Sequence, residues 1–217
     1  MKYEAIFFDL DGTVVDSIAD IADALNHTMR FFGMPERSCE EIRPLLGYGV
    51  DTFMRRILPD GMPEEQRTAF QAVYRPYYAA HSGDRSRPFP GILPMLEQLR
   101  ARGLCLAILS NKPDAALQPL AERFFSGLVQ LSAGEREGIR RKPCPDMLEA
   151  AARDLHVDLR RCLYVGDSEV DIDTANNARM DCVCVSWGFR TRRELELAGA
   201  PAIVDTPEEL TDFILNS

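Results

Sequence analysis

The stretch IFFDLDGTVVDS, Ile6 to Ser17, decides how the rest of the chain is read. An apolar run ends in two aspartates, Asp9 and Asp11, separated by one leucine and followed at once by Gly12. Two unit charges about 5 Å apart at an effective dielectric near 20 repel by roughly 3 kcal/mol. A chain that keeps both acids needs a cation, a shared proton or a basic side chain beside them. The residues before them, YEAIFFDL, are nearly continuous in apolar character, as expected of a strand buried on both faces. The acidic pair therefore stands at the carboxyl end of a buried strand.

Comparable apolar runs recur at LCLAILS (Leu104 to Ser110), GLVQLS (Gly127 to Ser132), CLYVGD (Cys162 to Asp167) and DCVCVSW (Asp181 to Trp187), with AIV (Ala202 to Val204) as a late edge strand. Segments of helical spacing separate most of them: Ile92, Met95, Leu96 and Leu99 share one face, and Leu148, Ala151, Ala152 and Leu155 another. Strands alternating with helices predict an α/β architecture, a Rossmann-like parallel sheet with helices on both faces. One region breaks the rhythm. From Ser17 to Ser82 the pattern is helical throughout, with stripes at Ile18, Ile21, Ala22, Leu25, Met29 and Phe32, then Val50, Phe53, Met54, Ile57 and Leu58, then Phe70, Val73, Tyr74, Tyr77 and Tyr78. Pro76 is expected to kink or shorten the last of these helices. The expected division is a catalytic core of residues 1–16 and 83–217 and an all-helical cap of residues 17–82. The loop HSGDRSRPFPG, His81 to Gly91, forms the return linker.

The chain of 217 residues is 46% hydrophobic and 27% charged, the composition of a globular protein with a substantial core. Its net charge of −9 argues against nucleic acid or an anionic membrane surface as partner. An anionic substrate stays open, because a metal or a few lysines reverse the field inside one pocket. No apolar run approaches a membrane span, and the N-terminus lacks the pattern of a secretory signal. A cytoplasmic location is therefore expected, with the six cysteines reduced. Cys182 and Cys184, two apart on a strand, read as small buried hydrophobes rather than a metal pair.

Four polar clusters occupy comparable places in this pattern: Asp9 with Asp11; Ser110-Asn111-Lys112; Lys142-Pro143; and Gly166-Asp167-Ser168 with Asp171. In an open parallel sheet, ligands bind beyond the carboxyl ends of the strands, so residues distant in sequence meet there. Each cluster also has a purely local explanation. DLDG suits a turn, Ser110 or Asn111 suits the cap of a helix starting near Pro113, Lys142 suits open solvent, and Ser168 with Asp171 approximates a capping box. None of these explains three carboxylates, Asp9, Asp11 and Asp167, gathered with a lysine at one sheet edge. Hard oxygen ligands suit Mg²⁺, which keeps waters and a substrate phosphate oxygen in its shell. Shared by Asp9 and Asp167, that ion offsets the repulsion. Asp9 then attacks phosphorus to give an aspartyl-phosphate. Asp11, projecting to the same side with Leu10 turned away, protonates the leaving oxygen and later deprotonates water. Ser110 and Lys142 offer a hydroxyl and a positive charge to the phosphoryl oxygens.

These residues resemble the four motifs of the haloacid dehalogenase-like hydrolase superfamily. DLDGTVVDS is similar to its D-x-D-G-T motif, LSNK (Leu109 to Lys112) to its second, RKPCP (Arg141 to Pro145) to its lysine motif, and VGDSEVDIDTANNA (Val165 to Ala178) to its G-D-x-x-x-D motif. The helical insert, with FPGILPMLEQLRARG and VSWGFRTRREL, resembles the phosphoglycolate phosphatase branch. The resemblance implies Asp9 as nucleophile, Asp11 as general acid and base, and Ser110 and Lys142 as phosphate holders. It also implies Mg²⁺ on the side chains of Asp9 and Asp167 and the carbonyl of Asp11, with Asp171 supporting that shell. Asp11 argues against dehalogenation, since the dehalogenases of the superfamily lack it. Arg179 stands where these proteins commonly carry glycine, so the helix end there is expected to turn differently. Arg136, Arg140 and Arg141 precede the motif lysine as a basic run that either meets the substrate or faces solvent.

In the cap, IRPLLGYGVDTFMRR joins two helical patterns through Gly47 and Gly49, a loop suited to closing over the site. Arg43 and Arg55 are its candidates for a second anion of the substrate, beside Ser110, Asn111 and Lys142 as substrate-binding residues. The expected partner is a small phosphorylated metabolite, 2-phosphoglycolate first, with no nucleic acid or membrane; the oligomeric state is open. Two other functions share these residues: a phosphohexose mutase of the same superfamily, similar to β-phosphoglucomutase, and a phospho-accepting signalling module.

Overall fold

A computed structural model describes residues 2–217. In chain order the elements are β1 (Ala5–Phe8), β2 (Val15–Asp16), α1 (Ile18–Phe31), α2 (Cys39–Ile42), α3 (Val50–Ile57), α4 (Glu64–His81), β3 (Arg87–Pro88) and α5 (Ile92–Ala101). There follow β4 (Cys105–Pro113), α6 (Asp114–Phe125), β5 (Leu131–Glu135), α7 (Asp146–Leu155), β6 (Cys162–Gly166), α8 (Glu169–Ala178), β7 (Asp181–Val185), α9 (Arg192–Leu197), β8 (Ile203–Val204) and α10 (Pro207–Leu215).

Six strands form one parallel sheet in the order β5-β4-β1-β6-β7-β8. The predicted α/β sheet, including the late edge strand, is therefore present. The strand β1 is buried on both sides because its side chains alternate between two cores. Ile6 and Phe8 join a layer with Leu96 and Leu99 of α5, Leu117 of α6 and Leu210 of α10. Ala5 and Phe7 join the opposite layer with Leu148 of α7 and Ile172 of α8. Cys182 and Cys184 lie buried in that second layer, as hydrophobes.

The chain leaves β1 toward β4 and β5 on one side, then returns to β6 on the other. The switch in direction thus falls at β1, where a crevice opens beyond the strand ends. Phe8 pairs with Ile108 of β4 and with Val165 of β6. Asp9, Ser110 and Asp167 thereby emerge on three adjacent strands at almost the same level. β4 is longer than predicted, extending through Ser110, Asn111 and Lys112 to Pro113, and β5 is displaced toward Gly134 and Glu135.

Helices α1 to α4 lie between the short antiparallel pair β2 and β3, whose pairing of Asp16 with Arg87 brings exit and return together. Asp20 of α1 is buried and secures the return segment, accepting from the backbone N–H groups of Arg85 and Ser86 and from the Ser86 hydroxyl. The helices share a core of Ile21, Leu25, Met29, Phe53, Met54, Phe70, Tyr74 and Tyr78, closed toward the sheet by Ala116 and Phe189. The first stripe ends at Met29; Phe32 is exposed beyond the helix. Pro76 does not shorten α4, which runs on to His81. Burial of Phe70, Tyr74 and Tyr78 along one face outweighs the hydrogen bond that the proline removes. No helix among the described residues is long and apolar enough to cross a membrane.

Arg179 corrects a second expectation. It ends α8 in the left-handed conformation, φ 56° and ψ 39°, with its N–H bonded to Ala175 and Asn176 carbonyls. The helix turns as it would with glycine there, and the arginine bears the steric cost of about 1 kcal/mol or more. The Arg179→Gly variant is therefore expected to gain about 0.5–1 kcal/mol after the larger unfolded-state freedom of glycine is allowed for. Thermal unfolding should show a rise of about 2 °C in Tm; a lower Tm would contradict this account.

Candidate active site

Asp9 follows β1 directly, and its N–H is tied to the carbonyl of Val165 on β6. Its Oδ1 accepts from the Leu10 N–H at 2.7 Å and lies 3.0 Å from the Lys142 Nζ. The next residues fold back in a tight loop, with the N–H groups of Thr13, Val14 and Val15 all directed at the Leu10 carbonyl. Gly12 makes that loop possible. Its φ is +86°, and a side chain there would strike the Asp167 carboxylate. The loop returns Thr13 so that its hydroxyl donates to Asp167 Oδ1 at 2.9 Å, while the Phe189 N–H donates to Oδ2 at 2.7 Å. Both Asp167 oxygens are thus fixed. Gly188 gives the backbone access to this carboxylate, for a Cβ there would collide with Gly12 and Asp167.

Carboxylate oxygens of Asp9, Asp167 and Asp171 lie within 4.8 Å of one another, all three side chains buried. Burial, with the charges of Asp171 and Asp11 adding to it against the pull of Lys142, pushes the Asp9 carboxyl up to about 6. Burial, then the charges of Asp171 and Asp9, hold Asp167 well above the usual carboxylate range. Asp171 is already engaged. It completes the capping box of α8, accepting from the backbone and hydroxyl of Ser168 and from the Asp167 N–H. Its other oxygen pairs with Lys142 at 2.8 Å.

Lys142 is only 2% exposed. Burial acts to strip its proton, but Asp171 and Asp9 outweigh that and hold its pKa well above the ordinary lysine value. Its ammonium reaches Asp9, Asp171 and the Tyr164 hydroxyl, which uses all three of its N–H groups. The solvated lysine allowed by the sequence is excluded.

Ser110 and Asn111 do not cap α6, whose first residue follows Pro113 with no side-chain cap. Ser110 is buried beside the cavity and accepts from the Lys112 N–H at 3.3 Å. Asn111 acts as a clamp: its amide bonds the N–H and carbonyl of Lys142 and the carbonyl of Gly47 in the helical insert. These contacts occupy the amide that was expected to meet substrate. Arg43 and Arg55 are exposed and neither lines the cavity over Asp9. Arg43 points to the Gly188 carbonyl, and Arg55 lines a separate groove with Arg67 and Gln71. Arg140 pairs with Asp146, and Arg141 with Asp51 and Glu135, so neither is free to greet an anion.

Several participants were not singled out from the sequence. Lys112, 4% exposed, donates to Asp11 Oδ1 at 3.1 Å and to the Tyr78 hydroxyl. Its place within LSNK was the available signal. Thr13 sat in a quoted motif too. Gly188 and Phe189 lay in the quoted phrase VSWGFRTRREL, and Tyr164 had no signal beyond its strand. Arg190 pairs with Glu169 at 2.8–2.9 Å and donates to the carbonyls of Arg43 and Leu46, pinning the insert near the site.

Four carboxylates (Asp9, Asp11, Asp167 and Asp171) therefore face two ammonium groups, leaving two negative charges in a buried place. The donors are hard oxygens, and burial, reinforced by the neighbouring carboxylates, makes Asp9 and Asp167 resist ionising. That combination fits one hard divalent cation.

The comparisons with known proteins agree with this geometry. Residues 3–179 match the model of the haloacid dehalogenase-like hydrolase family. The chain is 34% identical over 212 residues to the plasmid-encoded phosphoglycolate phosphatase of Cupriavidus necator, covering 95% of this chain and 90% of that one. It superposes on a Lactobacillus delbrueckii crystal structure, assigned as a phosphoglycolate phosphatase, with a TM-score of 0.96 and 38% identity over the full length of both chains. CbbY from Rhodobacter sphaeroides, solved in complex with phosphate, gives a TM-score of 0.78 and 27% identity over 96% of each chain. A buried acidic cluster at the strand ends, set under a helical insert in a chain so matched, identifies the protein as a member of the haloacid dehalogenase-like hydrolase family, in its phosphoglycolate phosphatase-like branch.

Proposed function

We propose that the protein is a Mg²⁺-dependent phosphatase of small soluble phosphate monoesters, with 2-phosphoglycolate as the leading substrate. The observation that carries this is the buried set of Asp9, Asp167 and Asp171 beside Asp11, under a small cavity. Residues 17–82 act as the cap and residues 1–16 with 83–217 as the catalytic core. Phosphoglycolate phosphatase is the name borne by the curated relative from Cupriavidus necator.

Asp9 and Asp167 would hold the cation with the Asp11 carbonyl, and Asp171 would steady that shell through Lys142 and the Asp167 N–H. When bound, Mg²⁺ supplies positive charge for the phosphoryl oxygens and for the carboxylates themselves. A carboxylate oxygen of Asp9 forms a bond to phosphorus as the ester P–O bond breaks, and Asp11 gives a proton to the departing oxygen. Asp11 then takes a proton from water, whose oxygen attacks phosphorus, releasing inorganic phosphate and restoring Asp9. Ser110 and Lys142 stand beside the transferring group to stabilise its charge. Cap closure excludes water other than the nucleophile.

The cavity disfavours the mutase reading. Its wall on the helical insert includes Ile21, Leu46, Val50, Phe53, Tyr74 and Tyr78, and the space between that wall and the acidic residues is small. The side-chain polar groups on that wall are the Tyr74 and Tyr78 hydroxyls, fewer than the hydroxyls of a hexose, so several of these would lose water without gaining a protein partner. The signalling module is disfavoured by the cap itself, which encloses the acidic residues. The six cysteines are all free, in keeping with a cytoplasmic protein.

Asp9→Asn keeps the side-chain shape but removes the nucleophile, so turnover of 2-phosphoglycolate should fall by about a thousandfold or more with the circular dichroism spectrum retained. Undiminished phosphate release from that variant would exclude Asp9 as nucleophile. Asp11→Asn should cost about 10²–10⁴ in kcat, measured by the same release of inorganic phosphate.

Metal binding should also be visible in stability. The Asp9 pKa rises from 3.8 to about 6 on folding, so the metal-free folded state binds more protons than the unfolded state across that window. Its stability therefore falls as pH rises from about 4 through 6. Mg²⁺ requires the ionised carboxylates and reverses that loss. The Tm gain on adding Mg²⁺ should be small near pH 4 and largest near pH 7. A gain independent of pH, or none at pH 7, would contradict the assigned cation site.

A further inference from the structure

The cavity poses a charge problem that its catalytic residues do not solve. A short phosphorylated acid brings a carboxylate as well as a phosphoryl group, and the cap wall is apolar and aromatic. An ion pressed against such a wall needs a partner of opposite sign. Among the described residues, Lys112 is the one cationic side chain that lines the cavity. Lys142 lies next to it but has committed its three N–H groups to Asp9, Asp171 and Tyr164. Arg43 and Arg55 lie outside, and Arg141 is paired with Asp51 and Glu135.

Lys112 has a donor to spare. An ammonium group offers three N–H bonds, and the protein takes two of them, through Asp11 Oδ1 at 3.1 Å and the Tyr78 hydroxyl. The Tyr78 oxygen accepts that bond, so its own proton points onward with no acceptor among the described residues. Tyr74, one helical turn earlier on α4 and 1% exposed, lines the same cavity with a hydroxyl that makes no hydrogen bond to them. The two rings stack with centroids 5.4 Å apart and planes 22° from parallel. The Tyr78 proton is thus uncommitted, and the Tyr74 hydroxyl stands at the cavity with no protein partner among the described residues. With the free N–H of Lys112 they form a set of donors available to an acceptor in the cavity.

We propose that Lys112, Tyr78 and Tyr74 receive the carboxylate of the substrate, the anionic group that is not transferred, and so select short phosphorylated carboxylic acids. This rests on the phosphatase reading above and adds the residues that choose among phosphate esters. The ammonium stays on Asp11 and gives its third N–H to the carboxylate; the two hydroxyls complete the cradle. Lys112 comes from the sheet and the tyrosines from the cap, so the receptor is assembled only when the cap is closed. A neutral ester of equal size would leave the three donors unpaired, and the site would discriminate against it.

The test compares two phosphonates on the Mg²⁺-loaded protein by calorimetry: phosphonoacetate, which carries the carboxylate, and ethylphosphonate, which does not. Wild type should bind phosphonoacetate more tightly. Lys112→Met should weaken phosphonoacetate by about 10- to 100-fold, the range for loss of a charge-assisted bond, and ethylphosphonate by less than about threefold. Tyr74→Phe and Tyr78→Phe, which keep the aromatic packing, should each lower the same ratio by about threefold to tenfold; they decide the matter if Lys112→Met does not fold. In steady state the ratio of kcat/KM for 2-phosphoglycolate to that for ethyl phosphate should drop in all three variants, and Lys112→Arg should restore part of it. Equal weakening of both phosphonates, or a wild type that does not distinguish them, overturns the assignment. Failure of the phosphatase reading would look different: no inorganic phosphate from either ester with wild type and Mg²⁺, whatever the phosphonates show.

Discussion

Everything in this site depends on an imbalance of charge below the cavity. Asp9, Asp11, Asp167 and Asp171 gather where β1 and β6 end, and among the described residues only Lys112 and Lys142 oppose them. The protein accepts this by committing most of the carboxylate oxygens to fixed donors. Asp167 is held by Thr13 and the Phe189 N–H, and Asp171 by the first turn of α8. Asp9 is held on one oxygen only, its Oδ1. That leaves a reactive carboxylate with a constrained orientation and a free oxygen, which is the requirement for attack on an electrophile.

The fold supplies the convergence cheaply in sequence terms. Reversal of strand order at β1 sets β4 and β6 on either side of it, so three separate motifs end at one level. Close approach then restricts residue size rather than charge. Gly12 and Gly188 are the places where a methyl group would displace Asp167. The net charge of −9 does not by itself exclude an anionic substrate, because the field inside one pocket is set by the groups that line it, here including two buried lysines.

The cap is joined to this centre by directional contacts rather than by apolar burial alone. Arg190 reaches the carbonyls of Arg43 and Leu46, Asn111 reaches Gly47, Arg141 reaches Asp51, and Lys112 reaches Tyr78. Each link has one end in the sheet or its loops and the other in the helical insert. The polar lining of the cavity is therefore supplied jointly by the sheet and the helical insert. Asp20 holds the return segment against α1, beside the paired strands β2 and β3.

The sequence by itself determined which residues stand at the strand ends, because continuous apolar runs and helical spacing are local signals with a strict period. Asp9 and Asp167 were legible for that reason, as was the helical insert, whereas Ser110 lies within β4 and Lys142 in the turn before α7, and both were legible through the motif resemblance. Side-chain destinations were not, because a long side chain answers to neighbours that are remote in the chain. Only the tertiary structure made Lys112 the cation of the cavity, turned Asn111 into a clamp on Lys142, and sent Arg43 and Arg55 elsewhere. It also carried α4 through Pro76 and held Arg179 in a left-handed turn, where packing of the surrounding helix faces exceeds a local penalty of about 1–3 kcal/mol. Periodicity records which face is buried; the direction of each polar group is set by what the fold brings to meet it.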